Sequence, residues 1–275
     1  MRDHHQIYGV DHSPWVQAVL VGLHLKAQDY DLTPLPSLRK LLHSGVRMPA
    51  LKVDGVWQTE SADILEKLGY ASADPRDQAM VAATWQGVLH RPDSLLNFFN
   101  SFAKVRMIGA SWLTISIRQL LRPLLTIFFY VLIKLALWRL KPTDPENFTE
   151  QFKPINERLK SQAFLCGEAP GILDCQQFGI IQCHLSIPHP PLVAAMTADP
   201  ALKHLHAWME RMHGLLQGYP HLYSEDYFTP HQPPYAIASP GQRAIFWFGV
   251  ALYLLALPLT LLALVLLTLK TLANR

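Results

Sequence analysis

Three sets of side chains in this 275-residue chain have types and spacings that chemistry uses. The first is Cys166, Cys175 and Cys183, an odd number without a C-x-x-C pair. They support neither a disulfide framework nor a zinc ribbon, and read as small apolar helix residues. The second is His206, Glu210 and His213, at i, i+4 and i+7 on one helix face, a spacing open to a metal. With no ligands from another helix in evidence, that face reads as solvated and no metal is expected. The third is His4, His5, Asp11 and His12 around the first strand, read as surface. Two serines open helical patterns, Ser13 before Pro14 and Ser61 after Glu60, where serine is a favourable cap and Pro a favourable first residue.

The elements that position these residues follow from pattern. Residues 6–9 read as a strand, and a helix runs from Ser13–Pro14 along Val16, Val19, Leu20 and Leu23 to Lys26. Residues 30–32 form a possible strand, then Pro49 to Val53 a firm one. Asp54-Gly55 is a hairpin turn before Val56-Trp57, and a helix from Thr59-Glu60-Ser61-Ala62 ends near Gly69. From Asp74 on, the pattern is helical and punctuated by proline.

Composition adds a second theme. Hydrophobic residues make up 50% and charged residues 16%, where soluble domains carry about 25% charged. The net charge of +3, from 24 Lys+Arg against 21 Asp+Glu, is too small to argue for nucleic acid. Residues 244–269 contain no ionisable group except Tyr253 and exceed the ~20 apolar residues that cross a bilayer. A single C-terminal transmembrane helix is expected there, kinked at Pro258 and flanked by Arg243, Lys270 and Arg275. The start of the chain lacks the continuous apolar run of an export signal, so a tail anchor with the N-terminal domain in the cytoplasm is expected. Within 107–138 the uncharged core, 123–133, is too short to span alone. Arg118 and Arg122 share a helical face there, followed by Lys134, Arg139 and Lys141, which suits a helix lying in the membrane interface.

The N-terminal block resembles the thioredoxin-like domain of cytosolic glutathione transferases. The resemblance is carried by Ser13-Pro14-Trp15-Val16, Leu23-His24-Leu25-Lys26, Arg47-Met48-Pro49-Ala50-Leu51, Asp54-Gly55 and Glu60-Ser61-Ala62-Asp63-Ile64. The helical part resembles the family's C-terminal domain at Phe164-Leu165-Cys166-Gly167-Glu168-Ala169-Pro170, Asp174, Phe178-Gly179, Trp208 and Arg211-Met212. It departs from the family at Gly171, where relatives cap the core helix with Ser or Thr, a change worth only tenths of a kcal/mol.

The resemblance implies an α+β thioredoxin-like domain over 1–73 and an all-α domain over 74–225 with an apolar insertion at 104–142. A linker at 226–243 and the transmembrane helix would follow. It implies glutathione as cosubstrate, paired through the backbone of Met48 before a cis Pro49. The γ-glutamyl group would lie at Glu60 and Ser61, and Arg47 near the glycine carboxylate. Ser13 is the candidate that keeps the thiol ionised, and Tyr8, the residue type other classes use, is its rival. Read locally, Ser13, Glu60 and Ser61 are equally suited to capping helices. Insertion and anchor together resemble the ganglioside-induced differentiation-associated branch. Two functions stay open: a membrane-anchored transferase acting on lipophilic electrophiles, for which the resemblance implies a homodimer, or a non-catalytic membrane adaptor that partners lipid.

Overall fold

The computed structural model describes residues 4–33, 45–53, 56–85, 89, 91–105, 111–141, 147–223 and 238–272. The Asp54-Gly55 turn, residues 106–110, most of the 226–243 linker and Arg275 lie outside that set. The chain divides into two compact units that interleave in sequence. The first comprises Met1–Pro34, Met48–Val88 and Thr143–Tyr235, the second Leu35–Arg47, Leu89–Pro142 and Ala236–Arg275.

In the first unit, β1 (His4–Tyr8), β2 (Asp29–Thr33), β3 (Ala50–Val53) and β4 (Val56–Gln58) form one sheet in the order β2-β1-β3-β4. β1 runs parallel to β2 and antiparallel to β3, and β3 is antiparallel to β4. A parallel neighbour requires a crossover, and α1 (Pro14–Leu25) supplies it. α2 (Ser61–Lys67) follows β4, and α3 (Pro75–Ala83) opens the helical part. That part continues through α6 (Phe148–Arg158), α7 (Ile172–Ser186), α8 (Pro190–Ala198), a short 3-10 turn and α9 (Lys203–Leu215).

All 15 residues of α7 are buried, so it is the core helix around which the unit is built. α1 crosses it at Gly179, where an added Cβ would lie 2.2 Å from the Pro14 carbonyl oxygen and 2.9 Å from the Ala18 nitrogen. Only a residue without a side chain permits that approach. The N-terminal end of α7 is organised by Asp174, fully buried. Its carboxylate accepts from Leu165 N (2.8 Å), Cys166 N (3.2 Å), Gly171 N (2.9 Å) and the Trp208 indole (2.8 Å). Burial pushes this carboxyl upward, and the four donors pull it back. The absent Ser or Thr at position 171 therefore matters little, because Asp174 supplies the surviving half of the capping box.

The second unit holds α4 (Ser94–Lys104), α5 (Trp112–Leu140), α10 (Pro240–Leu255) and α11 (Leu257–Leu272). Two expectations for it need correction. The uncharged core 123–133 was expected to be too short to span alone. Instead α5 is one 29-residue helix that continues through Pro123, about 43 Å long at 1.5 Å per residue. Its Trp112–Arg139 portion contains an 18-residue window with a mean hydropathy of 2.0, a third of it buried. Nor do Arg118 and Arg122 share a wet face. Arg122 is buried, donating to the Val105 carbonyl at 2.9 Å.

The expected single helix over 244–269 is two helices, Pro240–Leu255 and Leu257–Thr271 in their apolar extent, bent by 97°. The break falls at Ala256, just before Pro258, which has no N–H to continue the ladder. The buried Thr260 hydroxyl donates to the Tyr253 carbonyl at 2.7 Å, satisfying an acceptor at the bend. Each of these two helices alone is shorter than a span. The unit's core joins Val46, Leu125, Phe128 and Leu264. α10 meets α5 at Gly249, where a Cβ would come within 2.9 Å of Pro123 and 3.0 Å of the Leu120 carbonyl.

Charge separates the two units. Fourteen of the 24 Lys and Arg residues, and only Asp93 of the 21 Asp and Glu residues, belong to the second unit. The remaining ten bases and twenty acids belong to the first.

Candidate thiol-binding site

Sheet register decides which loops of the first unit meet. Tyr8, the last residue of β1, pairs with Thr33 at the end of β2 and with Ala50 at the start of β3. Leu51 pairs with Gln58, the last residue of β4. Three loops therefore leave the same end of the sheet. They are the β1–α1 loop with Ser13, the turn entering β3 with Met48 and Pro49, and the β4–α2 loop with Glu60 and Ser61. The Met48–Pro49 peptide bond is cis, and the Val10 N–H points at the Met48 sulfur at 3.5 Å. The structure thus brings Ser13, Met48, Pro49, Glu60, Ser61 and Tyr8 to one edge. Arg47 is half-buried and is grouped with the second unit.

The candidates differ in availability. Ser13 is the N-cap of α1, is partly exposed, and its hydroxyl makes no capping bond. A hydroxyl left uncommitted at a helix N-terminus can donate to a sulfur and favour its thiolate. Tyr8 is 1% exposed and burial holds its phenol far above the ordinary range, so it keeps its proton and faces the core. Glu60 is the N-cap of α2 without a side-chain capping bond, and Ser61 follows as a buried first helical residue. Burial pushes the Cys175 and Cys183 thiols up, Cys183 to about 12, and Cys166 is raised as well. None of the three is a thiolate nucleophile.

A network behind the site escapes local sequence reading. Asp11 and His12, expected at the surface, are 4% and 3% exposed. The Asp11 carboxylate accepts from the Tyr223 hydroxyl at 2.7 Å and lies 3.3 Å from His221 Nδ1. Gln17, fully buried, donates to the carbonyls of Asp11 and His221 at 2.9 Å each and accepts from the Tyr219 hydroxyl at 2.6 Å. Burial and the Asp11 charge together push the Tyr30 phenol up. This network fixes the loop two residues before Ser13. Tyr219, His221 and Tyr223 lie more than 200 residues from Asp11 and Gln17 in the chain, so no local pattern signals it.

The metal alternatives fare differently. His213 is 2% exposed and packs on Phe178 with ring centroids 5.7 Å apart, so the His206/Glu210/His213 face is not a wholly solvated one. Among the described residues no group of His, Cys, Asp and Glu is arranged to hold a metal ion.

Residues 140–215 match the family described as Glutathione S-transferase, C-terminal domain. No curated protein sequence matches the chain. Among solved structures, a Bombyx mori glutathione transferase is similar at 17% identity and a TM-score of 0.44, over 79% of this chain and 90% of that one. A delta-class glutathione transferase of Nilaparvata lugens is 15% identical, with a TM-score of 0.43 over 89% and 99% of the two chains. The theta-class enzyme of Xanthomonas axonopodis pv. citri, solved with glutathione bound, is 18% identical, with a TM-score of 0.40 over 75% and 90%. The four-stranded mixed sheet followed by helices built around α7 fits a thioredoxin-like domain followed by a helical one, and residues 140–215 of the helical part match the glutathione transferase C-terminal domain.

Proposed function

We propose that this is a membrane-associated glutathione transferase-like protein. Its first unit binds glutathione and conjugates or reduces lipophilic electrophiles. The observation that carries the thiol chemistry is the convergence of Ser13, Met48 and Glu60–Ser61 at one sheet end, with the Ser13 hydroxyl uncommitted. Glutathione would pair with the Met48 backbone, its γ-glutamyl carboxylate would meet the N-terminus of α2, and its ammonium would meet Glu60. Ser13 would donate to the sulfur, lowering the thiol from its usual ~8.5 toward neutrality. Attack by the thiolate forms the carbon–sulfur bond, and the leaving group or a proton from water balances the charge.

The membrane part of the reading is supported by the second unit. Trp112 and Trp138, near the two ends of α5, are 75% and 76% exposed, and Leu255 at the bend is 85% exposed. Apolar surface on that scale marks a lipid or protein partner. We place the first unit on the cytoplasmic side, consistent with the excess of Lys and Arg around the apolar helices.

Glutathione-affinity capture from detergent extract, then a conjugation assay with a generic electrophile, tests the reading. Ser13→Ala is expected to lower turnover by about 10² with glutathione affinity nearly kept, and Ser61→Ala to weaken glutathione binding. A wild-type chain that does not bind glutathione removes the enzyme. The same exposed apolar helices also favour a non-catalytic membrane adaptor, the reading left standing if glutathione fails while the chain stays in the membrane fraction.

A further inference from the structure

The second unit contains a shallow cleft of about 280 Å³ between α4 and α10. Lys104, Arg243, Asn100 and Trp247 line it, with the small side chains of Ala103 and Ala244. Its walls are fixed in place. The Ala238 N–H donates to the Lys104 carbonyl at 2.7 Å, tying the end of α4 to the start of α10. Trp247 stacks on Phe99 with centroids 6.3 Å apart and meets Phe246 edge-on at 5.8 Å. Lys104 and Arg243 are exposed, and among the described residues no acidic side chain lines the cleft. The unit's single acid, Asp93, stands at the opposite end of α4, where it accepts from Asn97 at 2.9 Å.

The surroundings select the ligand. Immediately along α10 from Arg243, residues Phe248, Leu252, Leu254 and Leu255 are exposed. Two cations and an indole thus stand at the start of a helix whose continuation is apolar on the outside, the order of groups met on passing from headgroup to acyl chain. Fourteen bases against one acid give the unit a large positive excess, which an anionic lipid surface would complement.

We propose that this cleft seats the phosphate of an anionic phospholipid headgroup, with Lys104 and Arg243 as counter-charges, Asn100 as a polar contact and Trp247 as the interfacial ring. A zwitterionic headgroup fits less well, because its ammonium would face the same two cations. The assignment rests on the membrane reading of the second unit and deepens it.

The test is calorimetric titration of the detergent-solubilised full chain with dioctanoyl phosphatidylglycerol, dioctanoyl phosphatidylcholine and inorganic phosphate. The anionic lipid should bind at least about tenfold tighter than the other two, with affinity falling as salt rises. Lys104→Ala with Arg243→Ala should weaken it about thirtyfold, while Lys104→Arg keeps it. The melting temperature and glutathione capture of the double variant should match wild type, which shows that the chain still folds. Equal binding of the two lipids, equal binding of free phosphate, or unchanged affinity in a folded double variant each overturns the cleft assignment. Alkaline carbonate extraction reads the membrane reading separately. A chain released by carbonate removes that reading, whereas a retained chain with no lipid preference removes only the cleft.

Discussion

Two fully buried glutamines, one in each unit, are bonded differently. In the first, Gln17 is fully buried and makes three hydrogen bonds, through both ends of its amide. In the second, Gln119 is also fully buried, and neither end of its amide has a partner among the described residues. Asp174 organises four donors at the base of α7. The core of the second unit is apolar instead, built from Val46, Leu125, Phe128 and Leu264, and much of its helix surface is apolar as well. A satisfied polar network specifies a unique arrangement in water. A unit whose outside is apolar relies on close helix approach, and its charges serve its surroundings more than its fold.

Substitutions sharpen or break that contrast. The largest effect is expected at Asp174→Ala, which leaves the Leu165, Cys166 and Gly171 amides and the Trp208 indole without an acceptor. At about 1–3 kcal/mol for each stranded donor, the first unit should fail to fold, read as loss of glutathione capture and cleavage by trace protease. Gly179→Ala comes next, because its Cβ would collide with backbone rather than with a movable side chain. A loss of about 3 kcal/mol or more is expected. Gly249→Ala presses on Pro123 and Leu120 less severely, and should cost about 1 kcal/mol, confined to amide exchange in α5 and α10. Equal losses at the two glycines would erase the proposed difference in crossing tightness.

Acidity should act on the first unit through His184. Its ring is 1% exposed, Nε2 lies 3.0 Å from the Thr84 carbonyl, and burial lowers it to about 4. The unfolded chain binds that proton near pH 6.5 while the folded chain refuses it until about pH 4, so stability is full above 6.5 and falls as pH drops between the two. The slope is about 1.4 kcal/mol per pH unit. Denaturant melts across that window should show it, and His184→Leu should flatten it. A steeper loss below pH 4 would point to the carboxylates instead.

The two glutamines make the most direct comparison. Gln17→Leu should destabilise by about 2 kcal/mol, since it strands the Tyr219 hydroxyl and two carbonyls. Gln119→Leu should stabilise by about 1 kcal/mol, since it removes a buried amide that nothing answers. Melting temperatures moving in opposite directions support the contrast. A destabilised Gln119→Leu would mean that lipid or water answers the amide.

Much of the first unit was legible because its signals are local. Short apolar runs beside turn residues marked the strands, Pro14 and Ser61 marked the helix starts, and the resemblance to glutathione transferases implied the candidate site at Ser13, Met48-Pro49 and Glu60-Ser61. The Pro258 break was legible in position, though not in its 97° magnitude, which depends on how the flanking helices pack. The extent of α5 was legible as the apolar stretch 107–138, but the burial of Arg122 against the Val105 carbonyl and the close approach at Gly249 were not.

Sequence alone determined what short-range chemistry determines: which segments are strands or helices, where caps and breaks fall, and which side chains could answer a thiol. Tertiary structure alone decided that Asp11, His221 and Tyr223 share one buried network, that Gly179 and Gly249 are crossing points, and that bases and acids are sorted into different units. The reason is physical. Caps and turns are satisfied by neighbours within a few residues, whereas burial and charge segregation depend on partners that only the folded chain brings together.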